Sequence, residues 1–199
     1  MGNLKVLIAY GTRYGSTGEI AQEIAKVLKS KGVEPELYNL GINKPKNWPQ
    51  LDEYRGVIVG TSLKVNSWKK QVKAFLEQHK NELKNIKFGM FTCGAWAIAE
   101  PLEAYGEITM RLENNFELQA DIQEAFKGVL DFSENSKVGK AGKIALKLTA
   151  LALEKDKNIP VDQKARNDFR DWKKIRKFAE KFAALPKKSK KSKSVNNFL

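Results

Sequence analysis

Residues 11 to 18 read Gly11-Thr12-Arg13-Tyr14-Gly15-Ser16-Thr17-Gly18, with the hydroxyls of Thr12, Ser16 and Thr17 set among three glycines. Such a loop at the start of a helix suits a phosphate group. First-turn amides have no intrahelical acceptor, and the helix dipole places positive charge beside them. Two commoner phosphate loops are excluded: no Gly-Lys-Ser/Thr follows, and the glycines do not fall at G-x-G-x-x-G spacing. The plainer use of the same residues is an ordinary helix start capped by Thr17.

Two further segments have the composition of ligand loops: Thr61-Ser62-Leu63-Lys64-Val65-Asn66-Ser67-Trp68 and Thr92-Cys93-Gly94-Ala95-Trp96-Ala97. Each combines small or polar residues with a tryptophan, so a flat aromatic ligand could stack on indole or Leu63 and bond to backbone. Trp96 is the stacking candidate; Trp68 opens a helix and suits the core. Cys93 ends an apolar run and reads as a small buried side chain rather than a redox thiol. One cysteine and one histidine, His79, exclude an intramolecular disulfide, a thiolate zinc site and any multi-histidine metal centre. No metal is expected, and no general base stands near the three loops.

The elements that must position these loops follow from the apolar pattern. Lys5-Val6-Leu7-Ile8-Ala9-Tyr10 is a nearly continuous apolar run, the mark of a strand buried on both faces. Ile20, Ile24, Val27 and Leu28 then repeat at helical spacing, and Gly32 stops the helix. Strands follow at 36–40, 56–60, 87–93 and about 125–130, with helices over about 68–83, 101–114 and 171–185 and a short one near 45–51. This alternation predicts an α/β fold: a doubly wound five-stranded parallel sheet of order 2-1-3-4-5, whose switch point lies between strands one and three. A helical insert, about 133–170, follows strand five. Within it Val138, Ala141, Ile144, Ala145, Leu148, Leu151 and Ala152 share a face, with Lys137, Lys140, Lys143 and Lys147 along one flank. That face either packs on the domain or docks on a membrane surface or partner. The expected domain is 1–186, followed by a lysine-rich disordered tail, 187–199.

The 199 residues carry 36 Lys+Arg against 23 Asp+Glu, for a net charge of +13. Such a field favours anionic partners. Tail lysines without arginine or interleaved aromatics imply no specific nucleic-acid binding. With no membrane-length apolar stretch and no signal-peptide pattern, the expected location is cytoplasmic, with peripheral contact at the inner face of an anionic membrane through the insert and tail.

The first loop, Tyr10-Gly11-Thr12 through Thr17, resembles the phosphate-binding loop of flavodoxins. With Gly60-Thr61-Ser62-Leu63-Lys64, Phe126-Lys127-Gly128-Val129-Leu130, the long insert, Asp171-Trp172 and Phe178 to Ala183, the chain resembles one flavodoxin branch, the menaquinone-dependent protoporphyrinogen oxidases. The resemblance implies bound FMN. Its phosphate would sit on Thr12, Arg13, Tyr14, Gly15, Ser16 and Thr17. Its ring would lie between Thr61, Ser62, Leu63, Lys64 and Asn66 on one side and Thr92, Cys93, Gly94, Ala95 and Trp96 on the other. It further implies oxidation of an anionic porphyrinogen, protoporphyrinogen IX, to protoporphyrin IX for haem biosynthesis, with electrons passed to a quinone. Lys64 and Arg13 would attract the substrate's carboxylates. In that branch the second loop continues Arg-Tyr-Gly-His, where this chain has Lys64-Val65-Asn66-Ser67. The competing expectation is an electron carrier that exchanges electrons with redox protein partners.

Overall fold

The computed structural model describes residues 5–64 and 67–186; Asn66 and the expected tail 187–199 lie outside the described residues. β1 (Lys5–Gly11), β3 (Gly56–Ser62) and β4 (Lys87–Gly94) are buried along nearly their whole length, as apolar runs covered on both faces must be. With β2 (Glu34–Asn39) and β5 (Ile122–Lys127) they form one parallel sheet in the order β2-β1-β3-β4-β5. α1 (Ser16–Ser30) and α7 (Trp172–Ala184) cover one face, packing Ile24, Leu28, Phe178 and Phe182 on Ile8, Ile58 and Phe91. α2 (Lys70–Gln78), α3 (Lys80–Asn85) and α5 (Pro101–Phe116) cover the other, where Phe75, Ile108 and Leu112 meet Val57, Val59 and Phe88.

A third, smaller cluster holds the insert. β6 (Val129–Asp131) and β7 (Arg166–Asp168) pair antiparallel as its stem, and α6 (Lys140–Lys157) packs Ala150 and Leu153 on Leu130, Phe132, Val161 and Ile98 of α4 (Trp96–Ala99). Here the structure departs from the sequence pattern. The apolar stretch expected as one strand over 125–130 is two strands in different sheets: β5 ends at Lys127, and the chain pairs elsewhere from Val129. Hydrophobicity does not mark that break, because buried apolar residues stand on both sides of it, Ala125 and Phe126 before and Leu130 after. The helix expected over 68–83 is split at His79, which ends α2 and begins α3 with its ring 4.6 Å from Phe75. Trp68 precedes both, buried, stacked on Phe116 with its Nε1–H donating to Glu107 Oε2 at 3.4 Å. The short helix near 45–51 is two 3-10 turns, Pro45–Asn47 and Leu51–Glu53. On α6 the apolar face read from the sequence points mostly outward rather than onto the domain: Ile144, Leu148 and Leu151 are exposed, while Leu146, Ala150 and Leu153 face the protein. The helix carries two apolar stripes, and periodicity alone cannot choose between them.

One buried charge ties the far end of the sheet to α7. The ammonium of Lys87, a fully buried side chain at the start of β4, donates to the carbonyls of Phe182 (3.3 Å) and Leu185 and lies 5.4 Å from the Phe182 ring centroid. It supplies donors to the carbonyls at a helix C-terminus, of which that of Phe182 also accepts the Leu185 N–H at 3.2 Å. Burial, with the charge of Arg55 adding to it against Asp121, lowers its pKa to about 8. The unfolded chain keeps this proton to about 10.5, so unfolding takes up a proton between those values and stability rises with pH across that window. Wild type is therefore expected to gain stability relative to Lys87→Met from pH 8 to 10, by at most about 1.4 kcal/mol per pH unit. Urea melts of both proteins across that range check this; a difference independent of pH would remove the buried-ammonium account.

Candidate functional site

The sheet register puts the expected loops at one edge. Gly11 pairs with Thr61, Ser62 with Cys93, and Gly94 with Lys127, so the chain leaves β1, β3, β4 and β5 side by side at their carboxyl ends. In the first loop Gly15 stands at φ 107°, where a side chain would be strained, and donates its N–H to Thr12 Oγ1 at 2.9 Å. The first helical bond runs from Glu19 N–H to the Gly15 carbonyl at 3.1 Å, leaving the amides of residues 16–18 open. Gly15, not Thr17, holds the cap position, without a side-chain cap bond. Thr17 is fully buried, and its Oγ1 makes no hydrogen bond. A buried hydroxyl without a partner beside three open amides is costly unless a ligand accepts from it, which corrects the capped-helix reading.

The second loop is latched to the first by two cations. Arg13 Nη1 donates to the Ser62 carbonyl (2.5 Å) and Oγ (2.8 Å), and Nη2 to the Ser67 carbonyl (3.0 Å). Its guanidinium thus holds the second loop against the first, while Arg13 also lines the cavity. Burial pulls its pKa below the usual value, yet an arginine stays charged at neutral pH. Lys64 Nζ donates to the Tyr14 hydroxyl at 3.0 Å and sits 5.6 Å from that ring's centroid.

Between the loops lies a mostly apolar cavity of about 510 Å³. The first loop contributes Arg13, Tyr14 and Ser16, the second Ser62, Leu63 and Lys64, the third Cys93, Gly94, Ala95 and Trp96. Gly15 faces a smaller neighbouring recess, and Thr12 turns its hydroxyl to Gly15. Thr61 and Thr92, partners in register, are buried behind the cavity, with Thr61 Oγ1 accepting the Lys69 N–H at 3.1 Å. Burial pushes the Cys93 thiol up to about 11, outweighing the nearby hydroxyls of Ser16 and Thr17 and the charge of Arg170. At neutral pH it is a thiol, not a reactive thiolate. His79 does not line the cavity.

Sequence reasoning missed the fourth wall. Gly142, Ala145, Leu146, Thr149 and Leu153 of α6 close the cavity opposite the strand-end loops, and Glu100 and Lys157, an ion pair, also line it. A glycine inside a helical pattern was the available sign. A Cβ on Gly142 would stand 2.6 Å from Val138 Cγ1 and 3.1 Å from the Tyr14 hydroxyl, so its absence sets how closely α6 approaches the first loop. An ionic cluster around the buried Arg170 fixes the insert's stem against α1. Arg170 bonds Asp168 (2.8 and 2.5 Å), Glu19 (2.6 Å) and the Ser16 carbonyl (3.4 Å), and covers the Trp172 ring at 4.4 Å. Burial alone would raise Asp168, but the hydrogen bonds and charge of Arg170 hold that carboxyl below the usual range.

These residues fit FMN. The open amides and the orphaned Thr17 hydroxyl suit its phosphate, and the slot between Leu63 and Trp96 suits a flat ring. Thr17→Val keeps the shape and removes the donor. It is expected to leave the fold intact and weaken FMN binding about tenfold or more, the worth of a hydrogen bond to a charged acceptor. Quenching of flavin fluorescence on titration measures this; unchanged affinity would take the hydroxyl off the phosphate.

The flavodoxin domain family matches residues 7–146. Over 89 residues the chain is 27% identical to the protoporphyrinogen IX dehydrogenase (quinone) of Escherichia coli strain K12, a stretch covering 45% of this chain and 48% of that protein. The chain thus spans about half the length of the curated relative it matches. Among solved structures, the rubredoxin oxygen:oxidoreductase of Desulfovibrio gigas superposes with TM-score 0.50 at 18% identity, covering 92% of this chain and 37% of its own; that likeness bears on the fold alone. The two-electron reduced flavodoxin of Megasphaera elsdenii gives TM-score 0.47 at 20% identity over 60% of this chain and 84% of its own. With the family match spanning most of the chain and the strand-end loops shaped for a phosphate and a flat ring, the protein belongs to the flavodoxin domain family, and its cofactor is FMN.

Proposed function

We propose that this FMN oxidoreductase acts on a small anionic ring substrate, with a porphyrinogen the leading candidate and a quinone the electron acceptor. One observation carries the reading: α6 walls the cofactor slot on the side opposite the strand-end loops. An electron carrier works through an exposed flavin edge, whereas a helix closing an apolar chamber against that edge makes room for a substrate and keeps water from it. The curated relative of similar sequence is named for protoporphyrinogen IX and quinone, which supports the same chemistry.

Bound FMN supplies the acceptance and release of reducing equivalents; the chain binds, orients and shields. Leu63 and Trp96 are the flat walls, and Leu146 and Leu153 of α6 the apolar roof. Among the cations that line the cavity, Arg13 is committed to Ser62 and Ser67, and Lys157 to Glu100. Lys64 bonds the neutral Tyr14 hydroxyl, and the partners of Arg13 are neutral oxygens too, so the charge of both is left to meet a substrate carboxylate, Lys64 with the freer side chain. No histidine lines the cavity; the carboxylates that do are Glu100, paired with Lys157, and Asp156.

Anaerobic mixing of protoporphyrinogen IX with the FMN-loaded protein is expected to bleach the flavin absorbance as porphyrin fluorescence appears. No bleaching, together with rapid reduction of the flavin by a ferredoxin or pyridine-nucleotide reductase, would decide for the competing reading of an electron carrier between redox proteins. The changed Val65-Asn66-Ser67 segment favours that reading.

Within the enzyme reading, Lys64→Gln is expected to raise KM about tenfold, equivalent to about 1.4 kcal/mol, with FMN affinity unchanged. Steady-state kinetics beside a flavin titration separates the two effects. An unchanged KM would remove Lys64 from substrate recognition.

A further inference from the structure

We infer that the outward stripe of α6 docks the protein on an anionic lipid bilayer, with the helix lying in the plane of the surface. The stripe is Ile144, Leu148 and Leu151, which are 64%, 64% and 53% exposed. They follow one another at helical spacing on a single line, with the exposed Ala141 and Ala152 beside them. The opposite face of the same helix, Ala150 and Leu153, is the one used to pack on the protein. The outer leucines and isoleucine therefore contribute nothing to holding α6 in place. An exposed apolar line of this kind marks a contact surface.

Charge identifies the occupant. Lys140, Lys143 and Lys147 border the stripe along one flank, and Lys137 stands just before the helix. None of the four forms an ion pair with a carboxylate among the described residues. An apolar line edged by unpaired lysines matches the acyl boundary and the phosphates of an anionic leaflet together. A second copy of the chain matches poorly. Each copy carries +13, and three large side chains fall well short of the roughly 800 Å² per partner that a stable protein interface buries. Nucleic acid would use the lysines and leave the stripe in water. Among the described residues no helix is long and apolar enough to cross a membrane, so contact is in-plane.

This orientation has a consequence for the cavity. Ala145, Thr149 and Ala152 lie on the flank of α6 away from the lysines, and all three line the cavity. Docked by its stripe, α6 would bring that side of the cavity to the lipid boundary, within reach of a molecule dissolved in the bilayer.

The test is cosedimentation of the full-length protein with vesicles of phosphatidylcholine alone or mixed with phosphatidylglycerol, at low and high salt. Binding is expected on the mixed vesicles only and to fall with salt. The triple substitution Ile144→Ser, Leu148→Ser, Leu151→Ser is expected to reduce it by at least about tenfold. Because those side chains are exposed, its thermal melt and FMN affinity should match wild type. A second full-length variant, with Lys187, Lys188, Lys190, Lys191 and Lys193 replaced by Gln, isolates the tail and is expected to retain vesicle binding. Negligible pelleting of wild type, binding by the triple variant equal to wild type, or loss of binding in the tail variant would each overturn the inference. So would concentration-dependent dimerisation without vesicles that the triple substitution abolishes, since the stripe would then belong to a second copy.

Discussion

Parallel register is the constraint on which the rest of this protein depends. Because β1, β3, β4 and β5 run the same way and pair in step, each delivers its following loop to one edge of the sheet. Three short segments, beginning at Gly11, Thr61 and Thr92, are made neighbours by strand register, and side-chain contacts between them then refine the fit. The same parallel direction starts α1 at that edge, so the open end of its dipole faces the place where a phosphate can sit.

The edge is then refined by polar contacts that are local in space and distant in the chain. Arg13 draws Ser62 and Ser67 toward the first loop, and Lys64 rests on Tyr14. Arg170 anchors the insert's stem to Glu19 and the Ser16 carbonyl. A buried charge such as that of Arg170 adds little net stability, because desolvation offsets the attraction. Breaking one leaves its partner unpaired, so the cluster fixes geometry more than it adds stability. Here that geometry is the distance between the insert and the first turn of α1.

The insert changes what the fold can do. A bare strand-end slot leaves a bound ring open on one side. α6, brought close by the missing side chain at Gly142, closes that side with Leu146 and Leu153 and converts a slot into a chamber. Its two apolar stripes divide the labour: one seals the chamber and holds the small core around Ile98 and Leu130, while the other is left for an outside surface.

The sequence by itself determined the sheet, its order and the loops that carry the cofactor. Those features are written in local patterns: unbroken apolar runs for strands covered on both faces, helical spacing between them, and glycines and hydroxyls at the turns. It also marked Cys93 as a buried thiol and Trp68 as core-facing, since the one ends an apolar strand and the other leads into a helix that packs on the sheet. Tertiary structure decided the rest. Which stripe of α6 turns inward depends on what Ile98 and Leu130 offer it, and no count along one helix contains that. The burial of Lys87 under the end of α7, and the commitment of Arg13 to a loop some fifty residues away, arise because a charged side chain takes the nearest acceptor that folding supplies. Periodicity reports which residues seek burial; only the assembled neighbours determine against what.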